Sequence, residues 1–283
     1  MTKNLDKEGL SSIADKYELF YVDLWGVIHN GIILHEKAIS ALKEITKRNK
    51  DYVLLTNAPR PNKTVKYFLE KMGMDKEIRE HVFTSGEAAL KYLKKNYLNK
   101  SFFHIGPPRD FDLFNDFKKN RTENINHCEF LLCTGLFDNY RDDLEYYKNL
   151  LEENLKKKMI CTNPDLIVDR GNIREFCAGS VAMVFEKMGG NVIYFGKPYP
   201  EVYNQSFKNK GKKILSIGDN LNTDIKGANL LNYDSLLISN GIHKNEIRDK
   251  GLEETVKSYE TICNYTQSEL KWWRKLLYIK IFK

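Results

Sequence analysis

Four short polar segments of the sequence follow directly after apolar runs and carry residue types that can do chemistry. They contain Asp23, Thr56-Asn57, Lys197, and the pair Asp219 and Asp224. The first and fourth segments offer carboxylates, the second offers a hydroxyl and an amide suited to an anion, and the third offers one ammonium. Each residue taken singly has an ordinary explanation, such as a turn, a helix cap or a surface charge. Four such segments in this order indicate one ligand-binding site.

Alternating strands and helices would position these residues. Short apolar runs rich in β-forming residues recur between longer segments of helical period, which is typical of an α/β fold around a mainly parallel sheet. The predicted strands are Leu19–Val22, Tyr52–Leu55, Phe102–Ile105, Phe130–Cys133, Val192–Phe195, Ile214–Ile217 and Leu236–Ile238. The predicted helices are Glu36–Arg48, Asn62–Met72 and Gly179–Met188. Open α/β sheets bind ligands in the loops after the carboxyl ends of their strands, which is where the four segments lie.

Composition bounds the function only loosely. The chain has 283 residues and a net charge of +7, which would suit an anionic small molecule as well as a nucleic acid. No apolar run is long enough to span a bilayer, and the N-terminal segment is too polar for a signal peptide, so we expect a soluble, cytoplasmic protein. The five cysteines form no CxxC pair and are odd in number, which favours buried reduced thiols over disulfides or a zinc site.

The order of the four segments resembles the haloacid dehalogenase-like superfamily, and specifically its class IIA, NagD-like branch. That family orders a nucleophilic Asp, a Thr or Ser, a Lys and a Gly-Asp-x-x-x-Thr-Asp motif along one sheet. Asp23, Thr56, Lys197 and the pair Asp219 and Asp224 match these positions. Further landmarks of the branch are Thr84-Ser85-Gly86-Glu87-Ala88-Ala89, Cys161-Thr162-Asn163-Pro164-Asp165 and Ala178-Gly179-Ser180.

The resemblance implies two domains. A Rossmann-like catalytic core would comprise residues 1–83 and 189–283. An α/β cap domain of the C2 type would be inserted between the Thr and Lys motifs, at residues 84–188.

The resemblance also implies a Mg²⁺-dependent phosphatase that acts through an aspartyl-phosphate intermediate. Asp23 would attack phosphorus and bind Mg²⁺. The carbonyl of Trp25 and the carboxylate of Asp219 would complete the protein ligands, and Asp224 would position the metal or its water. Carboxylates, a carbonyl and waters are the ligands that Mg²⁺ prefers.

Thr56, Asn57 and Lys197 would hold the transferring phosphoryl oxygens, and Lys197 would also screen Asp23. The implied partner is a small phosphorylated metabolite. No groove-reading motif or concentrated basic stripe supports nucleic-acid binding, no membrane partner is expected, and a homodimer is left open.

The sequence departs from the family at Trp25, within the motif Asp-x-Trp-Gly-Val. Family phosphatases carry a second Asp there, which acts as general acid and then as base. Indole cannot exchange a proton near neutral pH, and losing acid–base help typically costs roughly 10²–10⁴-fold in rate. One interpretation is a substrate with a good leaving group, such as an acyl or aryl phosphate. Another is that His29 substitutes, against the alternative that it only packs or caps the loop.

A third interpretation of Trp25 is a catalytically weak protein that binds a phosphorylated ligand in a regulatory role. Dehalogenation is a further alternative to phosphate hydrolysis, because family dehalogenases also lack the second Asp. They work without metal, however, and the intact acids Asp219 and Asp224 argue against that chemistry.

Substrate specificity would come from the cap, because the core contacts only the phosphate. Arg170, Arg174 and the loop Asn163-Pro164-Asp165 are the polar cap residues that we expect to matter. The basic, aromatic tail Glu269–Lys283 is expected to pack against the domain.

Overall fold

The computed structural model describes residues 2–170, 173–208 and 211–273. Within these ranges the fold is α/β with two parallel sheets, which confirms the predicted fold class. The strands are β1 (Lys3–Asn4), β2 (Leu19–Val22), β3 (Asp51–Thr56), β4 (Val82–Thr84), β5 (Phe102–Ile105), β6 (Phe130–Cys133), β7 (Lys158–Cys161), β8 (Ile167–Arg170), β9 (Ile173–Phe176), β10 (Asn191–Tyr194), β11 (Ile214–Gly218), β12 (Asp234–Ile238) and β13 (Tyr265–Gln267). The α-helices are α1 (Glu36–Lys47), α2 (Asn62–Lys71), α3 (Lys76–Arg79), α4 (Ser85–Asn96), α5 (Leu144–Leu151), α6 (Ala178–Lys187), α7 (Pro200–Ser206), α8 (Lys226–Leu230), α9 (Lys244–Lys250) and α10 (Leu252–Ser258).

The larger sheet has seven strands in the order β1-β13-β12-β11-β2-β3-β4. Its neighbouring strands all pair in parallel. At its centre, Val22 of β2 is opposite Ile217 of β11 on one side and Leu54 of β3 on the other. The carboxyl ends of β2, β3 and β11 therefore lie side by side at one edge of the sheet.

Helices cover both faces of this sheet because their apolar positions recur at helical spacing. Helix α1 buries Ala38, Ala41, Leu42 and Ile45 in the same core cluster as the sheet residue Phe20. Fully burying a side chain such as Leu42 contributes roughly 1.5–3 kcal/mol. The amphipathic pattern thus fixes which side of each helix meets the sheet.

The second sheet has four parallel strands in the order β10-β7-β6-β5. Strand β10 pairs with β7 from Asn191 opposite Lys158 to Tyr194 opposite Cys161. The sequence analysis assigned the segment after residue 188 to the core, whereas Asn191–Tyr194 pairs with the second sheet; the domain boundaries themselves stay a prediction. Gly189 and Gly190 connect helix α6 to strand β10 of the second sheet. The sequence analysis placed the boundary between cap and core at these glycines.

Strands β8 and β9 form a separate antiparallel hairpin, called the cap hairpin below, in which Asp169 pairs with Arg174. The predicted strands and helices agree with the observed ones to within about two residues. Strands β1, β4, β7 and β13, the cap hairpin, and seven of the ten α-helices in the described ranges were not predicted. All five cysteines lie in the described ranges as buried free thiols. No helix in the described part of the chain is both long and apolar enough to cross a membrane.

The predicted packing of the C-terminal tail concerns residues 269–283, of which 274–283 lie outside the described ranges. Before that point, Leu270 is buried in the core of the larger sheet. The Trp272 ring lies beneath the guanidinium of Arg48, at 5.0 Å from the ring centroid. The described start of the tail therefore packs on the core.

Candidate active site

The site residues predicted from sequence converge at the carboxyl edge of the larger sheet. Asp23 follows β2, Thr56 ends β3, and Asp219 follows β11, so adjacent parallel strands present all three at one edge. Asp224 lies on the π-helical turn Leu221–Ile225 that begins just beyond Asp219. All four side chains are buried.

The Lys197 ammonium lies at the centre of these groups. Its Nζ donates to Asp23 Oδ1 at 2.5 Å, to Asp224 Oδ1 at 2.7 Å and to the carbonyl of Leu55 at 2.9 Å. Burial acts to lower the pKa of Lys197, but the charges of Asp224 and Asp23 outweigh it and raise the pKa above its usual value. Lys197 is therefore a permanent cation in this site.

The side-chain amide of Asn57 holds the backbone of Lys197. Asn57 Oδ1 accepts from the Lys197 N–H at 2.7 Å, and Asn57 Nδ2 donates to the Lys197 carbonyl at 3.0 Å. The same nitrogen donates to Asp165 Oδ1 at 3.1 Å. An amide nitrogen has two hydrogens, so these two bonds use the whole donor capacity of the Asn57 side chain.

Asp23, Asp219 and Asp224 form a compact acidic cluster. Carboxylate oxygens of the three residues lie within 4.8 Å of one another. Burial raises the pKa of Asp23 to about 8 even though Lys197 opposes the shift. Burial together with the charges of Asp23 and Asp224 also raises the pKa of Asp219 well above its usual range. Three carboxylates facing one ammonium leave an excess of negative charge, and this set of oxygen donors fits a divalent cation such as Mg²⁺.

Two glycines leave the room that the Asp219 carboxylate occupies. A Cβ on Gly26 would lie 2.0 Å from Asp219 Oδ2, and one on Gly241 would lie 2.2 Å from the same oxygen. Gly26 also has a φ of 79°, which L side chains rarely adopt. The neighbouring N–H of Ile242 donates to Asp219 Oδ2 at 2.9 Å. The loop after β12 thus helps to fix Asp219, a contribution that the sequence prediction missed.

Trp25 extends from the loop after β2 toward the cap hairpin. Its indole Nε1 donates to the backbone carbonyl of Asp169 at 2.7 Å. A Cβ on Gly31, which has a φ of 86°, would lie 2.6 Å from the indole ring. The indole therefore packs against the turn at Gly31 while its N–H bonds to the cap hairpin.

His29 is a buried, packed side chain on the same loop. Its Nδ1 accepts from the Gly31 N–H at 3.0 Å, and its ring meets the rings of Trp25 and Phe68 edge-on. Burial lowers the pKa of His29 to about 4. A neutral imidazole at neutral pH favours the packing interpretation over the general-acid interpretation.

Two family models match the chain in the two segments that carry these residues. A haloacid dehalogenase-like hydrolase model matches residues 20–118, and a HAD-hydrolase-like model matches residues 194–261. The first match includes Asp23 and Thr56, and the second includes Lys197, Asp219 and Asp224. The chain belongs to the haloacid dehalogenase-like hydrolases.

Two relatives and a solved structure match nearly the whole length of this hydrolase. It is 25% identical over 277 residues to phosphoglycolate phosphatase 2 of Arabidopsis thaliana, which covers 87% of this chain and 91% of the relative. It is 23% identical over 257 residues to the 5'-nucleotidase YutF of Bacillus subtilis (strain 168), with coverage of 88% and 97%. The crystal structure of a haloacid dehalogenase-like hydrolase from Brucella suis 1330 superposes with a TM-score of 0.81 at 28% identity, covering 93% of this chain and 99% of that one.

A cavity of about 300 Å³ opens from the site of this hydrolase toward the second sheet. Thr56, Asn57 and Trp25 line its core side, and Arg109 and Arg141 line its far side. The sequence prediction missed both arginines, because each follows an irregular segment with no motif. Among the predicted cap residues, Asp165 lines the cavity, and burial raises its pKa to about 6.

Arg174 has another role than the one expected. Its guanidinium pairs with the carboxylate of Asp169 at 2.7 and 2.9 Å and donates to the Ile242 carbonyl at 3.1 Å. It therefore holds the cap hairpin rather than lining the cavity. The side chain of Arg170 lies outside what the structure describes.

Proposed function

We propose that this hydrolase is a Mg²⁺-dependent phosphatase that transfers the phosphoryl group of a small phosphorylated metabolite to Asp23. The observation that carries the proposal is the contact of the Asp23 carboxylate with the Lys197 ammonium inside the acidic cluster, beside the cavity. A buried carboxylate beside a fixed cation and two further acids suits nucleophilic attack on a phosphate. The names of the two curated relatives, a phosphoglycolate phosphatase and a 5'-nucleotidase, support phosphate esters as substrates.

Asp23 acts as the nucleophile through the oxygen that Lys197 does not hold. The bond from Lys197 occupies Oδ1, so we assign the attack on phosphorus to Oδ2. Lys197 opposes the burial-driven rise in the pKa of Asp23 and fixes its orientation, and it also neutralises part of the charge of the incoming phosphate. Attack in line with the leaving oxygen gives an aspartyl-phosphate, which water then hydrolyses.

Asp23 and Asp219 would hold Mg²⁺, with the carbonyl of Trp25 as a third protein ligand and Asp224 positioning the metal or its water. The bound ion supplies positive charge at the phosphate and at the carboxylates that face it. Asp219 is held for this role by the Ile242 N–H and by the space above Gly26. The excess negative charge of the cluster is the property of this chain that the ion would offset.

Thr56 would contact the phosphoryl oxygens, and Lys197 would act on them through its charge, because its three N–H groups already bond to Asp23, Asp224 and the Leu55 carbonyl. The sequence prediction gave Asn57 the same role, but both of its amide hydrogens bond to Lys197 and Asp165. We therefore propose that the Asn57 side chain positions Lys197 and does not contact the substrate. The hydroxyl of Thr56, which lines the cavity, remains the side-chain donor at the end of β3.

The four-stranded sheet with its helices is proposed as the cap that selects the leaving group. One core–cap contact is the ion pair between Arg60, which follows β3, and the buried Asp110, at 2.8 Å. Trp25 occupies the position of the family's general acid and cannot supply a proton. His29 is packed and neutral, so we do not assign it that role. This favours a substrate whose leaving group needs little protonation, such as an acyl or aryl phosphate.

The test is a Mg²⁺-dependent screen for phosphate release over sugar phosphates, nucleotides, pyridoxal phosphate and acyl phosphates. Wild-type protein is expected to turn over at least one class, and Asp23→Asn is expected to lower that turnover by roughly 10³-fold or more. Asp116→Asn, at an exposed ion pair with Lys94, is the matched control and should behave as wild type. Near wild-type turnover by a folded Asp23→Asn variant would contradict the mechanism.

The same screen distinguishes the phosphatase from the alternative given by the sequence analysis, a protein that binds a phosphorylated ligand without turnover. Calorimetric binding of a phosphorylated metabolite with phosphate release at background throughout would favour it. Robust turnover of any substrate would remove it.

A further inference from the structure

The cap hairpin is tied to the loop that carries the nucleophile by one side chain. The Trp25 Nε1 donates to the Asp169 carbonyl at 2.7 Å, across 144 positions of sequence. Position 25 is where the family places its proton donor. The residue that replaces the donor therefore makes a contact between core and cap.

A second side chain ties the same hairpin to the opposite side of the site. Arg174 donates to the Ile242 carbonyl at 3.1 Å while holding the Asp169 carboxylate with two hydrogen bonds. The N–H of Ile242 in turn donates to Asp219. Asp169 thus accepts from Trp25 at its backbone carbonyl and from Arg174 at its carboxylate. Together with the bond from Arg174 to Ile242, these contacts link the hairpin to the loop of Asp23 and to the loop after β12, which bonds to Asp219.

Hydrogen bonds matter here because packing holds strand β9 of the hairpin only weakly. In strand β9, Ile173 is 65% exposed and Phe176 is 37% exposed. Segments with few buried apolar contacts open at low free energy, so each remaining hydrogen bond has a large effect on their position. Trp25 and Arg174 provide such bonds at the same pair of strands.

The core loop is built to hold the indole in this place. Gly31 leaves room that a Cβ would take from the ring, and the His29 ring meets the indole edge-on at 5.0 Å between centroids. Trp25 is thus fixed on the core side while its N–H meets the hairpin. The hairpin residues Val168, Glu175 and Phe176 line the cavity next to Trp25.

We propose that Trp25 is a positioning residue whose indole N–H, together with Arg174, fixes the cap hairpin as a wall of the cavity. The wall faces the space that a leaving group would occupy, and this part of the proposal rests on the proposed phosphatase function. Trp25 then acts on the reaction through the hairpin and not by proton transfer.

The first test follows hydrogen exchange of the hairpin amides in Trp25→Phe, which keeps an aromatic ring and the backbone carbonyl but removes the N–H. Exchange of the amides in residues 167–170 and 173–176 is expected to speed up by roughly fivefold or more, as for loss of one hydrogen bond. Trp273→Phe is the matched control, because Trp273 Nε1 also donates to a backbone carbonyl, that of Asp6, far from the cavity. Unchanged hairpin exchange in folded Trp25→Phe would overturn the proposal.

A second measurement needs no variant at Trp25. With ¹⁵N-labelled tryptophan, the Trp25 indole N–H should be protected from exchange in wild type and should lose that protection in Arg174→Ala. A Trp25 indole N–H that is unprotected in wild type would contradict the proposed hydrogen bond to the Asp169 carbonyl. Neither exchange experiment requires turnover, so their results stand apart from those on the phosphatase activity.

The kinetic test compares p-nitrophenyl phosphate, whose aryl group would meet the hairpin, with acetyl phosphate, which is smaller. Trp25→Phe is expected to raise KM severalfold for the aryl ester, with kcat changed less and with little change for acetyl phosphate. An equal loss of kcat on both substrates would show that Trp25 acts on the chemical step, against the proposal.

Discussion

The Asn57 side chain brackets the Lys197 backbone with one bond to its N–H and one from its nitrogen to the carbonyl, at 2.7 and 3.0 Å. This pairing joins the loop after β3 to the residue that supplies the cation of the site. The Lys197 ammonium then donates to Asp23 and Asp224. The position of the positive charge therefore depends on an amide that does not itself bear charge.

Asn57→Ala should lower both stability and turnover. The substitution leaves the buried N–H and carbonyl of Lys197 without partners, which costs about 2–4 kcal/mol in the free energy of unfolding. The kcat of the folded variant should also fall, because the Lys197 ammonium loses its fixed position. The measurements are urea unfolding and steady-state kinetics.

Asn229→Ala is the matched control for this prediction. Asn229 brackets the Ile262 backbone with the same pair of bonds, at 2.7 and 2.8 Å, but at an exposed position away from the site. It should lose less stability and keep its kcat. Equal kinetic effects of the two variants would argue against a positioning role for Asn57.

Gly26→Ala should weaken Mg²⁺ binding. The new Cβ would lie 2.0 Å from Asp219 Oδ2, so either the carboxylate or the loop must move. We expect the Mg²⁺ concentration for half-maximal activity to rise by about tenfold or more, as for the loss of a well-placed ligand or its support. Calorimetry with Mg²⁺ provides the direct measurement.

Gly73→Ala is the control that separates the steric clash with Asp219 from the backbone strain of a side chain at positive φ. Gly73 has a φ of 86°, close to the 79° of Gly26, but a Cβ there meets no atom within 4 Å. It should lose about 1 kcal/mol of stability and bind Mg²⁺ as wild type does. Weakened binding in Gly73→Ala as well would mean that the clash at Asp219 is not the cause.

Burial of His29 should contribute to the loss of unfolding free energy at acid pH. Its folded-state pKa of about 4 lies below its ordinary value of 6.5 because burial disfavours the charged ring. A lowered histidine pKa stabilises the fold above pH 6.5, and this contribution is lost as the pH falls from there toward 4. In His29→Asn the loss of unfolding free energy over that window should shrink by up to about 3 kcal/mol.

Urea unfolding between pH 4 and 7 measures this effect. An unaltered pH dependence in His29→Asn would show that the imidazole is not buried in its neutral form.

Trp25→Asp tests whether proton transfer limits the enzyme. A carboxyl at the family position should speed hydrolysis of alkyl phosphates over p-nitrophenyl phosphate by up to roughly 10²-fold. Loss of the bond to Asp169 should reduce the gain for both substrates. His29→Asn should leave the alkyl-to-aryl ratio unchanged, whereas a selective loss on alkyl esters would restore His29 as the acid.

The sequence predicted four adjacent strands of the larger sheet, β12, β11, β2 and β3, and the convergence of site residues at their edge, because buried parallel strands leave apolar runs that end in polar residues. Asp23, Thr56, Lys197, Asp219 and Asp224 all followed from that pattern. Their catalytic and metal-binding roles stay predictions.

The sequence said less where structure depends on contacts distant along the chain. Strand β7 begins with the charged Lys158 after a lysine run, so its apolar signal is short. Strand β9 of the cap hairpin is largely exposed and lacks an apolar run that would distinguish it. The bonds from Trp25 to Asp169 and from Asn57 to Lys197 join residues more than a hundred positions apart. Such pairs leave no local pattern.

The most direct test of the central claim is detection of a phosphoryl group on Asp23. Wild-type protein with Mg²⁺ and acetyl phosphate is quenched in acid, digested and analysed by tandem mass spectrometry. We predict an acid-stable, alkali-labile phosphoryl adduct on the peptide that contains Asp23, absent from Asp23→Asn and retained in Asp116→Asn. Steady phosphate release with no adduct at Asp23, or with the adduct on another carboxylate, would contradict Asp23 as the nucleophile.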